Sequence, residues 1–262
     1  MKHVSSLAAQ PALLAQYCLD NPAVVRWETF RNECRAGYEE LIGALSDKQR
    51  NLCAFCEIEL LPMDRHVEHW RPKSLSTIAN NLTFVVSNLT ASCENRSKAH
   101  WFADLQERGG NPAPGPNESC GPFKGKDDPL GLVPRPYEPS AMPVDPPVFK
   151  VLRDGKLEVD ENAANTAGLQ GDRLYATLEL LNLNCTRLKN ARRAVIEALN
   201  HEFEELTNSG VSDTDALIRL AEQQLRLDPN GALPRFLTTL RSYFGQLAED
   251  RLATIPNWAA TP

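Results

Sequence analysis

No stretch of this chain approaches the roughly 20 consecutive apolar residues that a bilayer-spanning helix needs. The opening segment, MKHVSSLAAQPALLAQYCLD, lacks the continuous apolar core of a secretory signal. No membrane role is expected, and the cytoplasm is the expected compartment. Positive charge is also short: 28 Lys and Arg stand against 34 Asp and Glu, a net charge of −6, with a pI near 5.5. A nucleic-acid enzyme with this balance cannot rely on a globally basic surface. It needs a local basic patch, or a partner that holds the substrate. There is no internal repeat at solenoid spacing. The βαβ pattern that would make a C-x-x-C pair a thioredoxin-like redox motif is missing as well.

What is present is ordinary in bulk and unusual in one place. The chain has 262 residues, 42% hydrophobic and 24% charged, enough to bury a sizeable core as one large domain or two small ones. Its seven cysteines would suit a disulfide framework only in a small secreted chain, so paired cysteines read here as metal ligands. Cys53 and Cys56 form the pair, with Cys93 and Cys120 downstream. Two thiolates at this spacing grip one zinc ion from a tight turn, and tetrahedral coordination requires two more ligands. Cys93 and Cys120 can supply them; the alternative is four unrelated buried cysteines. Cys18, Cys34 and Cys185 lie in apolar or helical contexts and read as plain buried residues.

Apolar spacing outlines the rest. Trp27, Phe30, Tyr38, Leu41, Ile42 and Leu45 recur at helical intervals. The stretches CAFCEIELL and RHVEHW, separated by Pro62-Met63-Asp64, read as the two arms of a hairpin. From Asn111 to Pro147 prolines are dense and periodicity vanishes, which predicts surface loops. Phe149 to Val159 reads as a second hairpin turning at Asp154-Gly155. Leu174 to Phe203 fits a 3.6-residue repeat, and two further amphipathic stretches span about Thr214–Leu227 and Leu233–Leu252. The outline is a small metal module set between helical segments.

Inside the cysteine set lies His66-Val67-Glu68-His69-Trp70-Arg71-Pro72-Lys73-Ser74. Neighbouring side chains on a strand point to opposite faces, so Glu68 and His69 converge only if the strand ends there, as Pro72 suggests. A carboxylate suits Mg²⁺ or Mn²⁺, and an imidazole can take a proton from an attacking water. Alone, a Glu-His dipeptide is usually surface or a satisfied core histidine; its position among the cysteines gives it weight. Arg71, Lys73, Arg96, Lys98, Lys124 and Lys126 lie in or beside the module and could form a local phosphate-binding patch. Arg187, Lys189, Arg192 and Arg193 form a second basic cluster, read as a salt-bridged helix or a partner surface.

The succession C-x-x-C, HVEHWRPKS, Asn88-Leu89-Thr90-Ala91-Ser92-Cys93 and Cys120-Gly121-Pro122-Phe123-Lys124-Gly125 resembles the four-cysteine HNH nucleases. Among these it is most similar to the PtuB-like nucleases of Septu and retron-associated anti-phage systems. LELLNLNCTRLKNAR extends the likeness toward the C-terminus. The resemblance implies an α+β chain: a ββα-metal (HNH) module with structural zinc over residues 51–135, an N-terminal helical segment over 1–50, and a hairpin plus helical region over 136–262. It implies His69 as general base, Glu68 as ligand of a catalytic Mg²⁺ or Mn²⁺, and Asn88 as the residue that orients the histidine, although Ser87-Asn88 reads equally as a turn. It implies zinc on Cys53, Cys56, Cys93 and Cys120, and nucleic-acid contacts from Arg71, Lys73, Lys124 and Lys126. It also implies a partner, a PtuA-like ABC-type ATPase, in some systems with a retron, for which the helices from about Leu174 onward would provide the interface.

One position departs from the pattern. The family places a metal-binding asparagine or histidine at or just after the last cysteine, where this chain has Gly121 and Pro122. His66, Asn95, His100 and Asp127 are the candidate substitutes, and an alternative reading is a zinc-stabilised binding or scaffold module with an inactive HNH remnant.

Overall fold

The computed structural model describes residues 1, 3–4, 6–23, 26–94, 117–129, 143–256 and 258. Asn95, Arg96, Lys98, His100 and most of the proline-dense stretch lie outside these residues.

Helices α1 (Ala12–Asp20), α2 (Trp27–Glu33) and α3 (Arg35–Lys48) open the chain. The single residue Cys34 leaves helical geometry between α2 and α3. Trp27, Phe30, Tyr38, Leu41 and Ile42 are all buried, as their spacing requires. Tyr17, Trp27, Phe30 and Phe84 meet edge-on or tilted, with centroids 5.1 to 6.3 Å apart. Such pairs add roughly 0.5–1.5 kcal/mol each beyond area burial, and they fix the first helices to the central module.

The hairpin expected between CAFCEIELL and RHVEHW does not form. Strand β1 (Arg65–His69) pairs instead with β2 (Leu89–Cys93), antiparallel, with Arg65 opposite Cys93 and His69 opposite Leu89. The reason is local. Aiming two thiols two residues apart toward one point requires a tight knuckle, so Cys53 N–H donates to the Ile58 carbonyl at 2.8 Å and Glu57 takes φ 64°. The segment then folds back on its own start, through a Leu52–Glu59 bridge and a Leu60 N–H to Asn51 carbonyl bond of 2.8 Å. That leaves no extended arm for β1.

All five residues of β2 are buried, which means both faces and the second edge are covered. The Gln49 amide covers that edge: it accepts from Ala91 N–H at 2.7 Å and donates to the Ala91 carbonyl at 2.8 Å, as a neighbouring strand would. The short helix α4 (Cys120–Lys124) packs on β2.

The second hairpin forms as expected, β3 (Phe149–Val151) with β4 (Leu157–Val159). Gly155 turns it at φ 81°, and a Cβ there would lie 2.0 Å from the Lys189 carbonyl oxygen, so only glycine fits. Helices α5 (Glu161–Thr166), α6 (Gly171–Leu180), α7 (Thr186–Asn208) and α8 (Asp213–Gln224) follow. The stretch read as one helix over 233–252 is two, α9 (Leu237–Phe244) and α10 (Gln246–Ala253), split by Gly245 at φ 55°.

One hydrophobic cluster runs from Leu14 and Phe30 through the cysteines to Phe149, Leu178 and Leu188. A second packs Leu199 of α7 against Leu220, Leu237, Phe244 and Leu252. Among the described residues, no helix is long and apolar enough to cross a membrane.

Candidate metal and active site

Cys53, Cys56, Cys93 and Cys120 are all buried, with their sulfurs within 4.8 Å of one another. Cys53 Sγ lies 3.8 Å from Cys120 Sγ, and Cys56 Sγ lies 3.7 Å from Cys93 Sγ. Four thiolates held about 2.3 Å from one zinc at tetrahedral angles stand about 3.8 Å apart. The donor set therefore fits a zinc ion in both chemistry and dimension. Three separate devices place it: the knuckle presents Cys53 and Cys56, the end of β2 presents Cys93, and α4 begins on Cys120 at φ 60°. Cys120 N–H is tied to the Leu181 carbonyl at 2.8 Å.

The sulfurs neighbouring Cys93, together with its burial, push its thiol well up; burial and neighbouring sulfurs do the same to Cys120. A divalent cation reverses that balance, because it favours every thiolate at once. The protein also supplies a cation of its own. Arg187 on α7 is buried and donates to Ser119 Oγ at 2.8 Å, next to Cys120. Burial alone would depress its guanidinium, yet the field of Cys185, Cys56, Cys93 and Cys120 raises it on balance. Arg192 is buried too, donating to the Leu183 carbonyl at 2.8 Å. The basic cluster read as a salt-bridged helix or a partner surface is therefore divided. Arg187 and Arg192 turn inward because the helix packs on the cysteine module, while Arg193 remains outside beside Glu197 at 3.5 Å.

A cleft of about 420 Å³ opens beside this module, lined by Trp27, Glu28, His66, Glu68, His69 and Lys73, among others. Strand β1 ends on His69, as Pro72 suggested; Glu68 and His69 leave its opposite faces and both border the same cleft. His69 is buried, with its ring edge-on to Trp27 at 4.7 Å between centroids. Its Nε2 lies 3.0 Å from the Thr83 carbonyl oxygen. A carbonyl only accepts, so the proton sits on Nε2 and Nδ1 keeps the lone pair. Burial pulls His69 down to about 4, although the Thr83 carbonyl and Glu68 act the other way. At neutral pH the ring is uncharged and able to take a proton.

Glu68 faces His66 Nε2 at 3.3 Å and Lys124 Nζ at 2.9 Å. Burial pushes its carboxyl up, but His66 and Lys124 more than offset this and hold it below the usual carboxylate range. The Asn88 side chain hydrogen-bonds elsewhere than His69 among the described residues. Its Oδ1 accepts from Arg71 N–H at 2.8 Å, and its Nδ2 donates to the carbonyls of Arg71 at 3.0 Å and Leu82 at 2.8 Å. It clamps both ends of the loop that follows β1, one residue from the carbonyl that holds His69. It also ends a 3-10 turn, Val86–Asn88.

The expected basic patch is only partly present. Lys73 and Lys126 line the cleft, and Lys73 pairs with Glu28 at 2.5 Å. Arg71 is held by Asp128 at 2.8 Å. The Lys124 side chain is fully buried, with its Nζ 2.9 Å from Glu68 Oε1. Gly121 lies against the same carboxylate, where an added Cβ would stand 2.4 Å from Glu68 Oε2. Asp127 is exposed and outside the cleft lining. Sequence reasoning missed Trp27, Thr83 and Arg187. Thr83 acts through its carbonyl, which no residue type reveals, whereas Trp27 was visible only as a helical core position.

No family model matches the chain. It is 30% identical over 220 residues to a protein of Escherichia coli assigned as the HNH endonuclease of retron Ec83, an alignment covering 77% of this chain and 81% of that protein. With identity over most of both chains, four buried thiols at zinc spacing and the Glu68-His69 pair in a cleft, this chain belongs to the HNH endonuclease family.

Proposed function

We propose that the protein is a metal-dependent endonuclease that hydrolyses phosphodiester bonds of nucleic acid, with β1, β2 and α4 as its ββα-metal unit. The observation that carries this reading is the state of His69: neutral, its Nε2 proton fixed on the Thr83 carbonyl, its ring bordering the cleft next to Glu68. Nδ1 would take the proton from the attacking water. An anionic phosphate beside the ring would raise its proton affinity from a low starting point toward the working range. Glu68 would hold a Mg²⁺ or Mn²⁺ ion, whose chemistry is to stabilise charge on the scissile phosphate and the leaving oxygen. Trp27 keeps water from one side of the imidazole, Asn88 keeps the Thr83 loop in register, and Lys73 and Lys126 would contact the backbone phosphates. Arg71 would join them only by releasing Asp128. Cys53, Cys56, Cys93 and Cys120 would hold structural zinc, which ties the start of the module to the start of α4.

We further propose that the chain acts in anti-phage defence beside a PtuA-like ABC-type ATPase, in the cytoplasm. The retron named for the relative and the acidic total charge support this; an enzyme short of positive surface gains most from a partner that holds the nucleic acid. The experiment is cleavage of DNA and RNA by the chain with its neighbouring ATPase, comparing wild type with His69→Ala. Loss of cleavage in the variant, with zinc retained, supports the assignment.

A second reading, a zinc-stabilised scaffold with an inactive HNH remnant, is favoured by two observations: Lys124 already pairs with Glu68, and Gly121 brings no ligand. Cleavage that survives His69→Ala would favour it.

A further inference from the structure

The missing ligand at Gly121 leaves a physical question: what else at Glu68 can share a cation? Residues two apart on a strand point to the same face, so His66 and Glu68 of β1 are neighbours by construction. His66 Nε2 stands 3.3 Å from Glu68 Oε2. That is long for a charge-assisted hydrogen bond, which closes to about 2.7–2.9 Å. It is close to the separation of two adjacent ligands on one octahedral ion, about 3.0 Å for bonds of ~2.1 Å. Facing a carboxylate, which only accepts, His66 Nε2 carries the proton at rest. His66 Nδ1 is buried without a hydrogen-bond partner, so that proton can move to Nδ1 without breaking another bond, and a cation arriving at Glu68 would then meet the Nε2 lone pair.

Two further facts concern the same carboxylate. A side chain at position 121 cannot approach it, because even a Cβ would overlap Glu68 Oε2 at 2.4 Å. Its other oxygen holds the Lys124 ammonium at 2.9 Å, with the lysine side chain wholly removed from solvent. Burying an ammonium is costly unless it neutralises a charge, and here the charge is Glu68. We propose that His66 and Glu68 together form a seat for one divalent transition cation, and that the Lys124 ammonium is the resident counter-charge which that cation displaces. The inference rests on the metal-dependent reading of Glu68. It adds the second ligand and a built-in competitor. A mixed imidazole and carboxylate set also favours Mn²⁺ over Mg²⁺, since nitrogen donors suit transition ions.

The test is Mn²⁺ binding to the zinc-loaded full chain without nucleic acid, read by electron paramagnetic resonance. Spin-echo modulation reports a directly bound imidazole nitrogen. Wild type is expected to bind one Mn²⁺ with a nitrogen signal. His66→Gln should lose the nitrogen signal and weaken binding by more than the ~10-fold that losing even an outer hydrogen-bond partner costs a metal site. Lys124→Met, similar in length and uncharged, should tighten binding, and zinc content and melting temperature will show whether each variant is folded. A nitrogen signal unchanged in His66→Gln would overturn the ligand assignment. Equal or weaker Mn²⁺ affinity in a folded Lys124→Met would overturn the displacement. If Mn²⁺ binds as described but no nucleic acid is cleaved with or without the ATPase, the seat stands and the nuclease reading fails.

Discussion

Asn88→Ala tests whether His69, the proposed general base, is held through a loop rather than by direct contact. The substitution removes one acceptor and one amino group, leaving Arg71 N–H and the carbonyls of Arg71 and Leu82 without their partner. Each buried group left unsatisfied costs about 1–3 kcal/mol, less where water can enter the space vacated by the amide. With three groups and partial rescue by water, the expected loss is about 2–4 kcal/mol. For a chain of this size that corresponds to a fall in melting temperature of roughly 4–16 °C. Asn88→Asp is the sharper companion. It keeps the oxygen for Arg71 N–H but turns an oxygen toward two carbonyls, so repulsion replaces two hydrogen bonds and the variant should melt no higher than Asn88→Ala. Cleavage should suffer beyond stability, because Thr83 follows Leu82 and its carbonyl fixes the His69 proton on Nε2. The assay is thermal denaturation together with cleavage well below each melting temperature, with kcat and KM separated. A loosened base lowers kcat and leaves KM nearly unchanged. If Asn88→Ala melts with wild type and cleaves with wild-type kcat, the clamp argument is wrong.

His69→Ala should cut cleavage by the ~10²–10⁴-fold typical of a lost general base while zinc content stays at one per chain, checked by rate and metal analysis. Cys56→Ser should lose zinc and stability together, measured by metal analysis and melting, because one thiolate of the buried set is gone. Gly121→Ala must push Glu68 aside; activity should fall in a folded protein, as circular dichroism and cleavage assays would show. Arg187→Met should speed zinc loss to a chelator, since it removes the buried guanidinium beside the thiols.

The chemistry was legible in the sequence where residue type alone carries it. Four thiols at suitable spacing, a carboxylate beside an imidazole, and a glycine where a ligand was expected could all be read directly. Helices were legible where apolar periodicity was long, as in α7, and the β3–β4 hairpin through Asp154-Gly155. The pairing of β1 was not legible, because both CEIELL and LTASC look like strand partners. The choice between them is made by the knuckle at Cys53, a cost in local geometry that composition does not display. Gln49 acting as a substitute strand edge, and Thr83 acting through a carbonyl, belong to the same class. They are backbone relationships that arise only after the fold brings distant segments together.

The C-terminal helices show most clearly how such relationships change a functional argument. Charge pattern alone made α7 either a salt-bridged helix or a surface for partners, because basic and acidic residues lie close together along it. In the fold, α7 begins beside the cysteines: Arg187 N–H donates to Asn117 Oδ1 at 3.2 Å, its guanidinium reaches Ser119, and Asn182 just before it donates to the Glu118 carbonyl at 2.8 Å. Cys120, the last thiol, hangs from the Leu181 carbonyl. These contacts tie residues 117–120 to 181–187, and the first of these segments runs into α4 with Lys124 beside Glu68. Cutting the chain near Leu174 would remove the support of the fourth zinc ligand as well as any docking surface, so truncation cannot separate binding from chemistry. Residues on the outward face, such as Arg193 and Glu197, can be altered without touching the metal module. The same bonds join α7 to Ser119 and Cys120, and through α4 to the lysine that faces Glu68.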